Sequence, residues 1–434
     1  MTTRLDLKEY APVDCRLAPE QLDLLLRHQS ELDLSIELTP NDGGAVRLTP
    51  GSTVGAVEIG DLSISIEPKI GIDQLLSLAC YAIGVVKPQD QRLFDFEERR
   101  ALPDSLALAL ASAARRAFAR GLLHGYRTEE QALQTVRGRI RIAEQLRRRF
   151  GAGLPVELRF DEFTDDILEH QLVRAAVVRL GAMRLRSPES RRELGWVAAM
   201  LEQVSAVEFR PNDVPDVRFD RLNGHYRGVV GLARLVLRHG AYESGRGRVR
   251  ASGFLVDMNR LFQEFLVVAL RESLGVSEQA LRADRQLPGI WLDEGDQLRL
   301  KPDLSWWDGP TCSFVGDAKY KRLADSSAPN ADLYQLLAYA TALDLPGGLL
   351  VYAAGEAEPA SFHIRHTGRR LEVVSLDLSG SLETVLERVG QVAERVRVLR
   401  EKARRQRCAA LRARRRSESN IGTMTPRSVF LRPR

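Results

Sequence analysis

The chain has 434 residues, too many for one compact core, so two or three domains are expected. Hydrophobic residues make up 44% and charged residues 28%, the balance of a globular protein, and no apolar run is long enough to span a membrane. The net charge is +5 and the pI about 9.1. The excess gathers near the end, in Arg404-Arg405-Gln406-Arg407 and Arg412-Ala413-Arg414-Arg415-Arg416. Such a run suits a phosphate backbone, and equally suits a solvated helix with a frayed tail. Cys15, Cys80, Cys312 and Cys408 lie far apart with no CxxC pair, which argues against a zinc site or a disulfide framework. His363 and His366 are close together but have no cysteine nearby, and read as strand or loop residues. Met1 to Tyr10 is polar and charged, unlike a secretory signal, so a reducing cytoplasm is the expected compartment.

The first 85 or so residues read as mostly β. Leu62-Ser63-Ile64-Ser65-Ile66 alternates apolar and polar, and Asn41-Asp42-Gly43-Gly44 and Pro50-Gly51-Ser52 are turn signals. Ile72 to Gly84 reads as a helix. From Asp104, a candidate N-cap, the pattern becomes helical through Leu106 to Arg120, with Gly121 as the stop. Val136-Arg137-Gly138-Arg139-Ile140 marks a break, and helices are expected over Asp165–Leu180, Pro188–Val204 and His225–Leu237. The glycine-bearing stretch Tyr242 to Arg248 reads as a domain boundary. Beyond it the spacing predicts a helix over Val256–Leu274, strands over Leu298–Trp306 and Cys312–Ala318, and a helix capped by Asp332 and running to Leu343. Short strands at Leu349–Ala353, His363–His366 and Leu371–Leu376 and a long basic helix from Leu382 follow. The expected organisation is α+β and multidomain: a β-rich region over 1–100, a helical middle over 101–245, an α/β domain with a small mixed sheet over 246–400, and a basic tail over 401–434, disordered in part after Ser417.

The informative segment is Lys301-Pro302-Asp303 followed by Gly316-Asp317-Ala318-Lys319. Side chains alternate along a strand, so Asp317 and Lys319 share a face, and the Ala318 carbonyl lies between them. A hairpin can bring Asp303 beside Asp317. Two carboxylates and a carbonyl make a hard, oxygen-only site suited to Mg²⁺ with retained waters. A metal there can activate water and stabilise charge on a phosphodiester oxygen, and a lysine on the same face can orient that water. The plain alternative is a surface hairpin whose Asp317 and Lys319 form an exposed ion pair worth ~0–1 kcal/mol. On the next helix Gln335 and Tyr339 are four apart and share a face. A Q-x-x-x-Y after a D-x-K strand resembles RecB-like nucleases, where the pair lies near the metal and the DNA backbone; Tyr339 as a core aromatic is the other reading.

Most of the chain resembles the McrC family, within the PD-(D/E)xK nuclease superfamily. The resemblance is carried by Leu62 to Ile70 with Pro68-Lys69-Ile70, by Gly121-Leu122-Leu123-His124-Gly125-Tyr126, and by Val136 to Ile140. Phe160 to Asp166, Val256 to Phe262 with Met258-Asn259, Pro302-Asp303 and Asp317-Ala318-Lys319 continue it. It departs at Phe262-Gln263-Glu264-Phe265, where Gln263 stands in the position expected for a metal-assisting glutamate. Glu264 is one step along, about 100° around a helix, so Gln263 and Glu264 are each weak candidates for a third ligand.

The resemblance implies a Mg²⁺-dependent DNA endonuclease subunit of a 5-methylcytosine-directed restriction system, with Mn²⁺ as a substitute metal and Asp303, Asp317 and Lys319 as the catalytic core. It implies a separate McrB-type AAA+ partner that hydrolyses GTP or ATP, docked through the N-terminal region, and double-stranded DNA with modified cytosine as substrate. No G-x-x-x-x-G-K-[ST] loop occurs, so no nucleotide is expected on this chain itself. Lys69, Arg137 and Arg139 are candidate contacts to partner or DNA, or else ordinary turn and surface charges. Two other readings remain open: a stand-alone RecB-like exonuclease or repair nuclease, and a non-catalytic regulator of a AAA+ ring.

Overall fold

A computed structural model of the chain describes residues 3–38, 45–82, 84, 102–150, 153–239, 242–244, 251–283, 289–320, 330–353 and 360–421. The turn expected at 41–44, residues 245–248 of the expected boundary, and the end of the tail beyond 421 lie outside these residues. The chain divides into two compact units, Met1–Leu261 and Phe262–Arg434. Among the described residues no helix is long and apolar enough to cross a membrane.

The first unit opens with β1 (Thr3–Lys8), β2 (Val13–Arg16), α1 (Pro19–Arg27), α2 (Gln29–Leu32), β3 (Leu34–Leu38), β4 (Ala45–Pro50), β5 (Thr53–Ile59), β6 (Leu62–Glu67) and α3 (Ile72–Ala82). β6 keeps the alternation read from sequence: Leu62, Ile64 and Ile66 are buried, and Ser63 and Ser65 are half-buried. The chain continues through α4 (Leu102–Phe118), β7 (Gly125–Leu133), β8 (Arg139–Ile140), α5 (Ile142–Arg149), β9 (Val156–Thr164), α6 (Leu168–Gly181), α7 (Pro188–Met200) and α8 (Arg227–His239). It then makes β10 (Tyr242–Ser244), β11 (Ala251–Asp257) and α9 (Met258–Leu274), and the division between the units falls inside α9.

Three sheets form here: β1-β6-β5-β11-β10, β2-β4-β3 and β7-β9-β8. In the largest, β11 pairs with β5, joining strands from the two ends of the unit. That pairing needs glycine. Gly55 has φ +136, and a Cβ there would lie 2.0 Å from the Phe254 carbonyl oxygen. The middle of the chain is not wholly helical, since β7 and β9 form a long antiparallel pair. β7 is polar and nowhere buried, and only the short run Val156, Leu158 and Phe160 of β9 alternates, with Leu158 and Phe160 buried.

Asp104 lies in the first turn of α4 rather than capping it, and accepts the backbone N–H groups of Arg186 (3.1 Å) and Ser187 (2.9 Å). Val256 and Asp257 end a strand, so α9 begins two residues later than expected.

The second unit contains β12 (Leu281–Arg282), β13 (Ile290–Trp291), β14 (Arg299–Leu300), β15 (Leu304–Asp308), β16 (Thr311–Lys319), α10 (Asn330–Ala342), β17 (Gly347–Ala353), β18 (Ala360–His363), β19 (Arg370–Leu376) and α11 (Leu382–Ile421). Six strands form one mixed sheet in the order β12-β15-β16-β17-β19-β18. β15 and β16 are an antiparallel hairpin turned at Gly309, φ +63, and β16, β17 and β19 run parallel. β16 is buried along nearly its whole length, which places its polar end, Asp317 to Lys319, in the middle of the sheet. α10 packs on β16 and β17. α11 extends through Ile421 and so takes in the first part of the basic tail.

Candidate active site

The extended strand expected over Leu298–Trp306 is broken. β14 ends at Leu300, and Lys301-Pro302-Asp303 lead into β15 at Leu304. Pro302 cannot donate a ladder hydrogen bond, which suits a strand start. The break leaves Asp303 facing the end of β16, where its Oδ2 accepts the Ala318 N–H at 2.9 Å. A residue's N–H and C=O leave an extended strand on the same side, so the Ala318 carbonyl aims toward Asp303 too.

Asp317 is 1% exposed, and Lys319, two residues on, shares its face. Lys319 Nζ lies 2.7 Å from Asp317 Oδ2. Apart from this ion pair, that buried oxygen has no hydrogen-bond partner among the described residues. From α9, the Gln263 amide donates to Asp303 Oδ1 at 2.6 Å. Gln335 donates to the Tyr339 hydroxyl at 2.7 Å, and Tyr339 in turn donates to the Lys301 carbonyl at 3.1 Å. The Q-x-x-x-Y pair therefore ties α10 to the backbone two residues before Asp303.

Burial, and then the charge of Asp317, push the Asp303 carboxyl up to about 8, against the pull of the Ala318 N–H. Burial works to lower the Lys319 ammonium, but Asp317, Asp303 and Asp332 outweigh it and hold it above the usual lysine range. Two carboxylates thus share one site with the Lys319 ammonium, and like charges so placed resist joint ionisation.

A divalent cation fits this donor set. It would be held by the carboxylates of Asp303 and Asp317 and the Ala318 carbonyl, and the buried, underused Oδ2 of Asp317 offers a lone pair. Among the described residues no group of three His, Cys, Asp or Glu gathers anywhere, so Glu264 does not complete a carboxylate triad with Asp303 and Asp317. The remaining coordination would fall to water.

Lys69, Arg137 and Arg139 lie in the first unit. Lys69 donates its backbone N–H to Glu9 at 3.1 Å and sets its ammonium 4.2 Å from the centre of the Tyr10 ring. Arg137 lies 3.6 Å from the Phe160 ring centre, and Arg139 is exposed on β8. His363 ends β18, and His366 sits in a turn at φ +64. Sequence reasoning passed over Asp332 and Tyr352. Asp332 was read as a helix cap, but it is buried in the first turn of α10 and accepts the Tyr352 hydroxyl at 2.6 Å.

A family model described as McrBC 5-methylcytosine restriction system component matches residues 48–353. The chain belongs to this family. The matched span holds every residue of the candidate site just described, from Gln263 to Tyr352. Among curated proteins, the type IV methyl-directed restriction enzyme EcoKMcrBC of Escherichia coli strain K12 is 22% identical over 308 residues, covering 66% of this chain and 86% of that protein. Among solved structures, a chain from the tetradecameric assembly of Thermococcus gammatolerans McrB AAA+ hexamers with bound McrC matches with a TM-score of 0.58. It is 17% identical and covers 91% of this chain and 100% of that one, so the two share a fold.

Proposed function

We propose that this McrBC-family chain is the metal-dependent DNA endonuclease subunit of a modification-directed restriction system, with a PD-(D/E)xK core built on β15, β16 and α10. The observation that carries the reading is the Asp303–Asp317–Lys319 group, buried at Asp317 and half-buried at the other two, at the end of the central hairpin. Mg²⁺, or Mn²⁺ in its place, would supply an activated water and charge stabilisation at the scissile phosphate. Asp303 and Asp317 hold the site's negative charge. Gln263 keeps Asp303 turned inward by donating to Oδ1. Tyr339, steadied by Gln335, fixes the Lys301 carbonyl and with it the approach of Asp303. The Lys319 ammonium orients the attacking water and offsets charge developing on the phosphate.

The partner is a AAA+ ring of the McrB type, which supplies the nucleotide hydrolysis for which this chain has no phosphate-binding loop. A docking surface for it is at hand in the first unit. Tyr126, Phe150 and Phe163, on or beside β7, α5 and β9, are 78%, 96% and 62% exposed. Tyr126 and Phe163 lie together on the small sheet, ring centres 5.2 Å apart, and exposed apolar groups so gathered mark an interaction surface. The substrate is double-stranded DNA carrying modified cytosine.

The test is cleavage of a plasmid carrying 5-methylcytosine by the purified chain, the AAA+ protein encoded beside it, nucleotide and Mg²⁺. Wild type should cut and Asp317→Ala should not, while both stimulate nucleotide hydrolysis. One observation favours a second reading: Gln263 stands where a metal-assisting glutamate was expected, as in a chain that only regulates its ring. Stimulated hydrolysis without cleavage of any DNA, with Mg²⁺ or Mn²⁺, would select it. Cutting of linear DNA by the chain alone would instead point to a stand-alone exonuclease.

A further inference from the structure

Asp332 is 7% exposed, and a carboxylate so buried needs a partner. Its partner Tyr352 is itself fully buried and is the register partner of Lys319 on the neighbouring parallel strand. Register partners on adjacent strands carry their side chains on one face. The Tyr352 ring therefore stands beside the Lys319 side chain, and its hydroxyl reaches across to α10. Burial, then the hydrogen bond and charge of Asp332, and then Asp317 raise the Tyr352 hydroxyl above the usual range. The four groups share one electrostatic neighbourhood.

In this arrangement Lys319 leans on Asp317. The same carboxylate belongs to the donor set that fits a divalent cation. An oxygen engaged by a cation holds the ammonium less strongly, and the two positive charges repel. Without a second anion on that face, the ammonium would turn away from the reacting atoms.

We propose that Asp332, fixed by the Tyr352 hydroxyl, is a positioning residue for Lys319: the pair supplies the second anionic pole that keeps the ammonium at the site when Asp317 is engaged. Its consequence for cleavage rests on the nuclease reading above, but the anchoring itself can be measured without cleavage.

The experiment uses the full chain with its AAA+ partner and compares wild type, Asp332→Asn, Tyr352→Phe, Lys319→Ala and the double variant Asp332→Asn/Lys319→Ala. Asn keeps the size of Asp, and Phe keeps the ring. Asp332→Asn should lower kcat by about 10- to 100-fold and leave KM for DNA within about twofold, as misplacement of a reacting group does. In the Lys319→Ala background it should cost nothing further, because its effect travels through Lys319. Losses that multiply in the double variant, or an Asp332→Asn protein that cuts like wild type, overturn the proposal.

The second readout is the rate at which Lys319 is acylated by an amine-reactive reagent with Mg²⁺ or Ca²⁺ present, followed by mass spectrometry. It should be slow in wild type and several-fold faster in both Asp332→Asn and Tyr352→Phe. Equal rates overturn the proposal even where the wild type cuts. A wild type that cuts nothing, with Lys319 protected in an Asp332-dependent way, overturns the nuclease reading and upholds the anchoring. Should Asp332→Asn fail to fold, Tyr352→Phe carries both readouts.

Discussion

Gln263 donates its side-chain amide to Asp303 at 2.6 Å, so the residue that departs from the expected glutamate is engaged with the candidate site rather than turned from it. An amide donor stabilises the ionised carboxylate beside it, and a glutamate in the same place would repel it. At a pH above the raised Asp303 value of about 8, where that carboxyl is ionised, Gln263→Glu should therefore destabilise the metal-free protein by about 1–3 kcal/mol, the cost of a lost donor to a charged group. Added Mg²⁺ should recover that loss and bind more tightly than in wild type, because a third carboxylate joins the donor set. Thermal unfolding in chelator and in Mg²⁺, with calorimetric titration of the metal, checks both. A variant as stable as wild type in chelator would mean that the Gln263 amide does not support Asp303.

A second prediction concerns pH and the first unit. His170 is buried among Phe118 and Tyr226, with Nδ1 at the Asp165 carbonyl and Nε2 at 3.1 Å from the Tyr226 hydroxyl, which accepts the Leu123 N–H. Burial holds its pKa below the usual histidine range. The folded chain then takes up this proton less readily than the unfolded one. The stability tied to a neutral His170 is present above the unfolded value of about 6.5 and is lost as pH falls through it toward the lower folded value. The resistance of the first unit to urea should thus weaken from pH 7 to pH 5. His170→Gln, which cannot take the proton, should flatten that slope and cost about 1–2 kcal/mol at pH 7 from the disturbed hydrogen bonds. A slope unchanged by the substitution would assign the pH dependence elsewhere.

Some of this was legible in the sequence because it was local. The period-2 pattern of Leu62 to Ile66 and the Gln335–Tyr339 spacing each lie within a few residues, and Pro-Asp and Asp-Ala-Lys lie on either side of one hairpin turn. What was not legible depended on pairing at a distance. β11 pairs with β5 across about two hundred residues of chain, so the composition change after Tyr242 could not show that the strand beyond it belongs to the first sheet. Asp332 had the chemistry of a helix cap, and Asp104 likewise. In both cases tertiary partners, Tyr352 for one and the Arg186–Ser187 backbone for the other, took the carboxylate. β7 escaped because its charged, nowhere buried residues carry no apolar alternation, and in β9 the alternation of Val156, Leu158 and Phe160 spans only five residues. The Tyr339 ring is buried, as in a core aromatic, and its hydroxyl also holds the Lys301 carbonyl, a contact that spacing alone does not show.

The last prediction separates docking from folding. Arg137 lies over the Phe160 ring and 4.0 Å from Glu162, while Arg139 is exposed beside it on β8. Reversing both charges, Arg137→Glu with Arg139→Glu, removes one cation–π contact worth about 0.5–1 kcal/mol at an exposed site. The fold should survive that loss, with an unfolding midpoint lowered by only a few degrees for a domain of this size. A partner surface that depends on these charges would respond far more. Rim charges act chiefly on association rate and its salt dependence, so the variant should bind the AAA+ protein more slowly and lose the sensitivity of binding to added salt. Stopped-flow association at two salt concentrations, alongside stimulated nucleotide hydrolysis, gives the answer. Association and hydrolysis equal to wild type at both salts would remove Arg137 and Arg139 from the partner surface, leaving the exposed Tyr126, Phe150 and Phe163 to carry the docking.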